Sequence, residues 1–177
     1  MSILNFLGLG ENAPQGGGAG DTETVRKIVD QLDGLEPERA RYVAAFAYVL
    51  SRVAHADLKI SKEETRSMER ILMAMGNLPE EQAILVVQMA KTQALLFAGT
   101  ENFLVTRELE TLATREQKLK ILQCLFAVSA SDESISGAEE TEIRKIADEL
   151  KIARKDYLEV KLTYREYLSV LKHSPET

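Results

Sequence analysis

Along most of the chain, apolar residues recur at the spacing of one face of an α-helix. Val25, Ile28, Val29 and Leu32 fall at i, i+3, i+4 and i+7, and Gly34 followed by Pro37 closes that segment. A second helix is predicted over about 38–56. Its Tyr42, Val43, Phe46, Val49, Leu50 and Val53 occupy more than one face, which places it at the centre of a bundle. A third helix follows Ser61, carries Met68, Ile71, Leu72 and Met75, and stops at Gly76-Asn77, with Pro79 opening the next. Ile84, Val87, Leu95, Leu96, Phe103, Leu104, Leu109 and Leu112 fill one or two more. Thr114 with Gln117, and Ser136 with Glu139, have capping-box spacing. They introduce one helix bearing Leu119, Ile121, Leu122, Leu125, Phe126 and Val128, and another bearing Ile143, Ile146 and Leu150. Tyr157, Val160, Tyr164, Tyr167, Leu168 and Leu171 are assigned to a single last helix. The pattern predicts an all-α domain of seven or eight helices.

Glycine usage sharpens the boundaries. Six of the ten glycines fall in the first twenty residues, leaving four glycines and three prolines for residues 21–177. Such scarcity removes the punctuation of a sheet protein. Residues 1–20 read as a flexible Gly-rich tail, 21–172 as the helical domain and 173–177 as a frayed C-terminus. Within the tail, Ile3, Leu4, Phe6, Leu7 and Leu9 make an apolar patch that is either disordered or a docking element for a partner or, peripherally, a membrane. The longest uninterrupted apolar run is the nine residues Tyr42 to Leu50, well short of the ~20 a membrane span needs. The first residues lack the basic start and cleavage pattern of a secretory signal. A single cysteine, Cys124, forms no intrachain disulfide and no cysteine zinc cluster, so a reducing cytoplasm is the expected compartment.

An internal repeat is the most informative feature. A shift of 75 residues aligns 53–64 with 128–139, with identities at valine, aspartate, isoleucine, serine and glutamate. Flanking apolar positions correspond as well: Phe46 with Ile121, Leu50 with Leu125, Met68 with Ile143, Ile71 with Ile146, Met75 with Leu150. Each copy reads as a buried helix, an Asp-x-x-Ile-Ser-x-x-Glu turn and an amphipathic helix, and two such units suit packing about a pseudo-twofold axis. Ser61 and Ser136 are expected N-caps worth about 0.5–2 kcal/mol each. Glu64 and Glu139 stand where a capping-box carboxylate reaches back, and Ile60 and Ile135 where a hydrophobic staple sits. Asp57 and Asp132 oppose the dipole of the helix each one follows, by about 0.3–1 kcal/mol. Two readings stay open for them: a carboxylate bond to a backbone N–H in the turn, or a divalent cation shared with the glutamate seven residues on. A hard cation such as Ca²⁺, Mg²⁺ or Mn²⁺ takes oxygen ligands, six to eight for Ca²⁺. Candidate ligands are therefore Asp57, Glu64, Asp132, Glu133 and Glu139.

At these turns the chain resembles the tellurite-resistance TerB-like family, whose all-helical domain carries two Ala-Asp-Gly-x-Ile-Ser-x-x-Glu-like turns. Residues 56–64 match the first and 131–139 the second, while Leu150-Lys151-Ile152 and Asp156-Tyr157 look like the family's junction between later helices. The resemblance covers about 38–160. It implies a cytoplasmic, non-catalytic module that binds protein partners, has cation-binding acidic turns, and serves metal, oxyanion or phage stress responses. The usual glycine after each aspartate is replaced here by Leu58 and Glu133. Glycine tolerates a left-handed backbone there at about 1–2 kcal/mol less than other residues. Related domains also occur fused to a membrane-anchored J-domain co-chaperone, although this chain lacks the His-Pro-Asp of a J domain.

Other chemistry is thin. No phosphate loop or nucleophile elbow occurs, and neither His55 nor His173 lies in a Glu-x-x-His pair. Acidic residues outnumber basic ones by 28 to 22, a net charge of −6 with pI near 5.1, which speaks against a nucleic-acid binder. The surplus is concentrated. Residues 1–36 hold six acidic and two basic residues, and 132–149 hold seven and two. The last segment, 150–177, is net basic and is a solvated face or a dock for an acidic surface, the second turn included. The leading reading is a non-enzymatic module with a cation at the acidic turns, preferentially the second. The alternatives are a metal-independent helical scaffold or co-chaperone-like adaptor, and a metal-assisted hydrolase.

Overall fold

The structure is a computed structural model and describes residues 19–54, 61–92 and 102–172. Regular structure among them is helical: α1 (Ala19–Asp33), α2 (Pro37–Ala54), α3 (Lys62–Ala74), α4 (Glu80–Lys91), α5 (Asn102–Leu112), α6 (Arg115–Ala130), α7 (Gly137–Glu149), α8 (Arg154–Thr163), a 3₁₀ turn (Arg165–Tyr167) and a short α9 (Ser169–Lys172). Leu95, Leu96, His55, His173 and the tail residues before Ala19 lie outside the described residues.

The architecture is organised around α2. Pro37 opens it at a position that needs no N–H partner, and the run from Tyr42 to Ser51 is buried without a break. A helix buried all round needs neighbours on every side. It has them: α1, α4, α5, α6 and α7 all pack against α2. The second buried helix, α6, contributes Ile121, Leu122, Leu125 and Phe126 to the same core and also receives α3, α7 and α8. Burying a Leu, Ile or Phe side chain is worth about 1.5–3 kcal/mol, so these two helices form the centre of the core.

Between α3 and α4 the chain turns in little space. A Cβ on Gly76 would stand 2.6 Å from the Leu72 carbonyl oxygen and 3.2 Å from Cys124 Sγ, so the close approach of α3 to α6 requires glycine there. Asn77 follows with φ of 54°, a left-handed conformation that asparagine tolerates.

The C-terminal region corrects the expected single last helix. α8 ends at Thr163, and Tyr164 stacks on Phe126 with ring centroids 5.6 Å apart. The backbone then makes one 3₁₀ turn and extends at Leu168 (φ −70°, ψ 115°) to pair with Ile135. Ile135 N donates to the Tyr167 carbonyl at 2.6 Å, and Ser169 N donates to the Ile135 carbonyl at 3.0 Å. The helical spacing of Tyr164, Tyr167, Leu168 and Leu171 is real, but aromatic packing and this pairing outweigh local propensity.

Candidate functional site

The second acidic turn is built from the end of α6 and the start of α7. α6 closes at Ser131, whose N–H and hydroxyl both donate to the Val128 carbonyl, at 3.2 and 2.6 Å. Asp132 and Glu133 follow, exposed, with Glu133 N donating to the Ala130 carbonyl at 2.9 Å. Glu133 has φ of 63°. It therefore occupies the left-handed conformation for which glycine is ordinarily used at this place in the turn.

α7 then starts with a complete capping box. Ser136 Oγ accepts from Glu139 N at 3.2 Å, and Glu139 Oε2 accepts from Ser136 N at 2.8 Å. α3 starts identically: Glu64 N donates to Ser61 Oγ at 3.2 Å and Ser61 N to Glu64 Oε2 at 2.5 Å. The Ser61 backbone and hydroxyl hold the Glu64 carboxyl below the usual carboxylate range. Both glutamates are thus engaged by the caps, and Ile135 does not act as a staple. The fourth position of α7 is Glu140, which offers no apolar partner. Ile135 is instead buried (1% exposed) through its pairing with the C-terminal segment.

Asp57 lies outside the described residues, so Glu64 is the described member of the first candidate pair. Asp132, Glu133 and Glu139 follow one another from the turn into the first turn of α7 without converging into a cluster. Among the described residues no group of three or more His, Cys, Asp or Glu is gathered closely enough to hold a metal ion. Oxygen donors alone characterise the turn, which suits a hard cation rather than zinc bound through Cys or His.

Much of the negative charge of 132–149 is answered from distant parts of the chain. Arg52, near the end of α2 and with a side chain only 7% exposed, reaches Glu142 at 2.7 Å and Glu149 at 2.6 and 3.1 Å. Burial works against the Glu149 carboxylate, but hydrogen bonds from Arg52 and Thr106 outweigh it and hold its pKa below the ordinary value. Lys161 on α8 pairs with Glu140, so one ion pair joins the basic last segment to the acidic helix behind the second turn. Beside this, Arg115 forks onto the nearly buried Asp156 at 2.9 and 2.8 Å, fixing α8 against the start of α6.

Arg52 lies outside the repeated turns, although the sequence carries a signal for it. It closely follows the unbroken apolar run Tyr42–Leu50 in a helix buried on nearly all faces, and a cation so placed requires partners. Glu142 and Glu149 are seven residues apart, hence on one face of α7. Cys124 is fully buried, and burial pushes its thiol up to about 12. That is the state of an inert core thiol rather than a nucleophile. No helix of the described residues is long and apolar enough to cross a membrane.

Comparison with curated proteins finds no match, and comparison with solved structures finds none either. The family model described as tellurite resistance protein TerB matches residues 43–162. That stretch is about two-thirds of the chain and runs from α2 into α8, taking in the capped starts of α3, α6 and α7. The chain belongs to the TerB tellurite-resistance family.

Proposed function

We propose that this chain is a non-catalytic, cytoplasmic stress-response module of the tellurite, metal and oxyanion type, which binds protein partners and takes a divalent cation at its second acidic turn. The observation that carries the reading is the backbone of Glu133. A glutamate held at φ of 63° keeps the turn geometry that glycine ordinarily serves and adds a carboxylate beside exposed Asp132. Retaining that conformation without glycine costs on the order of 1 kcal/mol, which an added ligand offsets when a cation binds. Asp132 and Glu133 are the principal donors in this reading. Turn carbonyls, water and the remaining capacity of Glu139 complete the shell, with Asp57 and Glu64 as donors from the first turn.

The test is calorimetry and thermal denaturation of chelator-treated protein with Ca²⁺, Mg²⁺, Mn²⁺ or Zn²⁺. A bound cation stabilises the fold by about 2.7 kcal/mol at a hundredfold excess over its dissociation constant. Asp132→Asn and Glu133→Gln are expected to remove that gain. Absence of heat and of any thermal shift with all four ions would exclude the cation.

A second reading is a metal-independent scaffold or adaptor. The two capping boxes favour it, because Glu64 and Glu139 have structural work without any ion. Here Asp132→Asn leaves partner capture unchanged in the presence of chelator. Hydrolysis at the turns, the remaining alternative, requires a general base with a perturbed pKa in a cleft. Asp132→Asn and Glu139→Gln would abolish any such activity.

A further inference from the structure

Sulfur is unevenly exposed in this fold. Among the described residues, Met68, Met89 and Cys124 are buried and Met73 packs against the core, whereas Met75, which caps the C-terminal end of α3, is 38% exposed. Its Sδ accepts a hydrogen bond from the Tyr164 hydroxyl at 3.5 Å, and the same hydroxyl reaches the Gln123 carbonyl at 3.4 Å. Met75 and Tyr164 line an open cleft of about 440 Å³ together with Leu119 and Gln123. We propose that Met75 is a site of oxidation by hydroperoxides, and that its sulfoxide draws the Tyr164 hydroxyl into a stronger bond that ties the end of α3 to the C-terminal segment.

Access selects the sulfur. A peroxide in the cleft meets Met75 directly, while the core keeps it from Met68 and Met89. Cys124 does not compete, because the thiolate is the reactive form and burial pushes its thiol up to about 12. In the reaction a lone pair of Met75 Sδ attacks one oxygen of hydrogen peroxide, and the S–O bond forms as the O–O bond breaks. The proton on the transferred oxygen passes through solvent to the departing hydroxide, which leaves as water. Sulfur gives up two electrons and the peroxide gains them. The product exchanges a weak thioether acceptor for a polar oxygen. Its partner is already in place, since the Tyr164 ring stacks on Phe126 and the Tyr164 carbonyl accepts from Tyr167 N at 3.0 Å. From Tyr164 the chain leads through the 3₁₀ turn to the pairing of Leu168 with Ile135. A firmer bond at Met75 therefore joins α3 to the segment that holds the start of α7. The proposal does not depend on cation binding at the second turn.

The test treats the full chain with hydrogen peroxide, with chelator present to suppress metal-driven radical oxidation. Peptide-resolved mass spectrometry should show Met75 oxidised about tenfold faster than Met68, Met73 and Met89 in the folded protein, and the four at similar rates in urea. In the oxidised chain, amide exchange at Tyr167 and at Leu78, which donates to the Leu72 carbonyl just before Met75, should slow about twofold. That slowing should be absent in Tyr164→Phe, which keeps the ring and lacks the hydroxyl, and in Met75→Leu, which has no sulfur at this position. Oxidation of Met75 no faster than that of the buried methionines overturns the site. Selective oxidation with unchanged or faster exchange, or slowing that persists in Tyr164→Phe, overturns the tie.

Discussion

α3 and α7 are both thirteen residues long, both open on a Ser-x-x-Glu capping box, and both pack on α6. Their surroundings then diverge. On α3 the buried residues are Met68 and Leu72, Ile71 is only half-buried, and Met75 just beyond its end is 38% exposed. Lys91 ties it to α4 by donating to Thr65 at 3.1 Å. α7 buries Ile143, Ile146 and Ala147 with Leu150 behind them. It is also clamped by Arg52 through Glu142 and Glu149, by Lys161 through Glu140, and by the backbone pairing of Ile135 with the C-terminal segment. One local motif thus starts two helices with different degrees of anchorage. The cap decides where a helix begins, and long-range ties decide how firmly it is held.

Removing α7's ties should make it behave like α3. The largest effect is expected from Arg52→Met, which leaves two carboxylates without their cation; the loss is about 3 kcal/mol in urea denaturation at neutral pH. A change below about 0.5 kcal/mol would show that the ionic clamp does not distinguish the helices. The same variant tests the pH dependence. The folded-state pKa of Glu149 is depressed, so its contribution is present above the ordinary carboxylate range and is lost as pH falls through the depressed value. Acid titration of the melting temperature should therefore be shallower in Arg52→Met than in the parent chain.

Ile135→Ala comes next, at about 2–3 kcal/mol, because it empties a buried site where the turn meets the C-terminal segment. Hydrogen exchange should show the lost protection in α7 and at Ser169 rather than in α3. Smaller still are the caps. Ser136→Ala is expected to cost about 1 kcal/mol and Ser61→Ala nearer 0.5, since the second cap is half-buried and the first exposed. Equal costs would remove the distinction at the level of the cap. The smallest effect is a gain: Glu133→Gly should stabilise the apo protein by about 0.5 kcal/mol through relief of the left-handed backbone, while weakening any cation response.

Which features were legible in the sequence follows from the range of the forces involved. The buried run Tyr42–Leu50 announced a central helix, since an unbroken apolar stretch in a helical period has no polar face to give to water. Ser61, Thr114 and Ser136 announced helix starts, because a capping bond spans only three residues. Glu133 was recognisable as the residue at a glycine position, but its left-handed backbone became evident only in three dimensions. The helical spacing continues past Tyr164 but the helix does not, because stacking on Phe126 across 38 positions competes with local periodicity. The staple expected at Ile135 failed for a related reason: its apolar partner, Leu168, comes from the far end of the chain.

By itself the sequence determined the all-helical class, the central helix, the capped starts of α3, α6 and α7, and the placing of acidic residues on the second turn. Each of these rests on contacts within a few residues or on the partition of apolar side chains from water. The tertiary structure alone decided which charges are neutralised and which remain exposed. Arg52 meets Glu142 and Glu149 across 90 and 97 positions, and Lys161 meets Glu140 across 21. Net charge along a segment cannot reveal such partners, because Coulomb energy depends on distance and burial rather than on order in the chain.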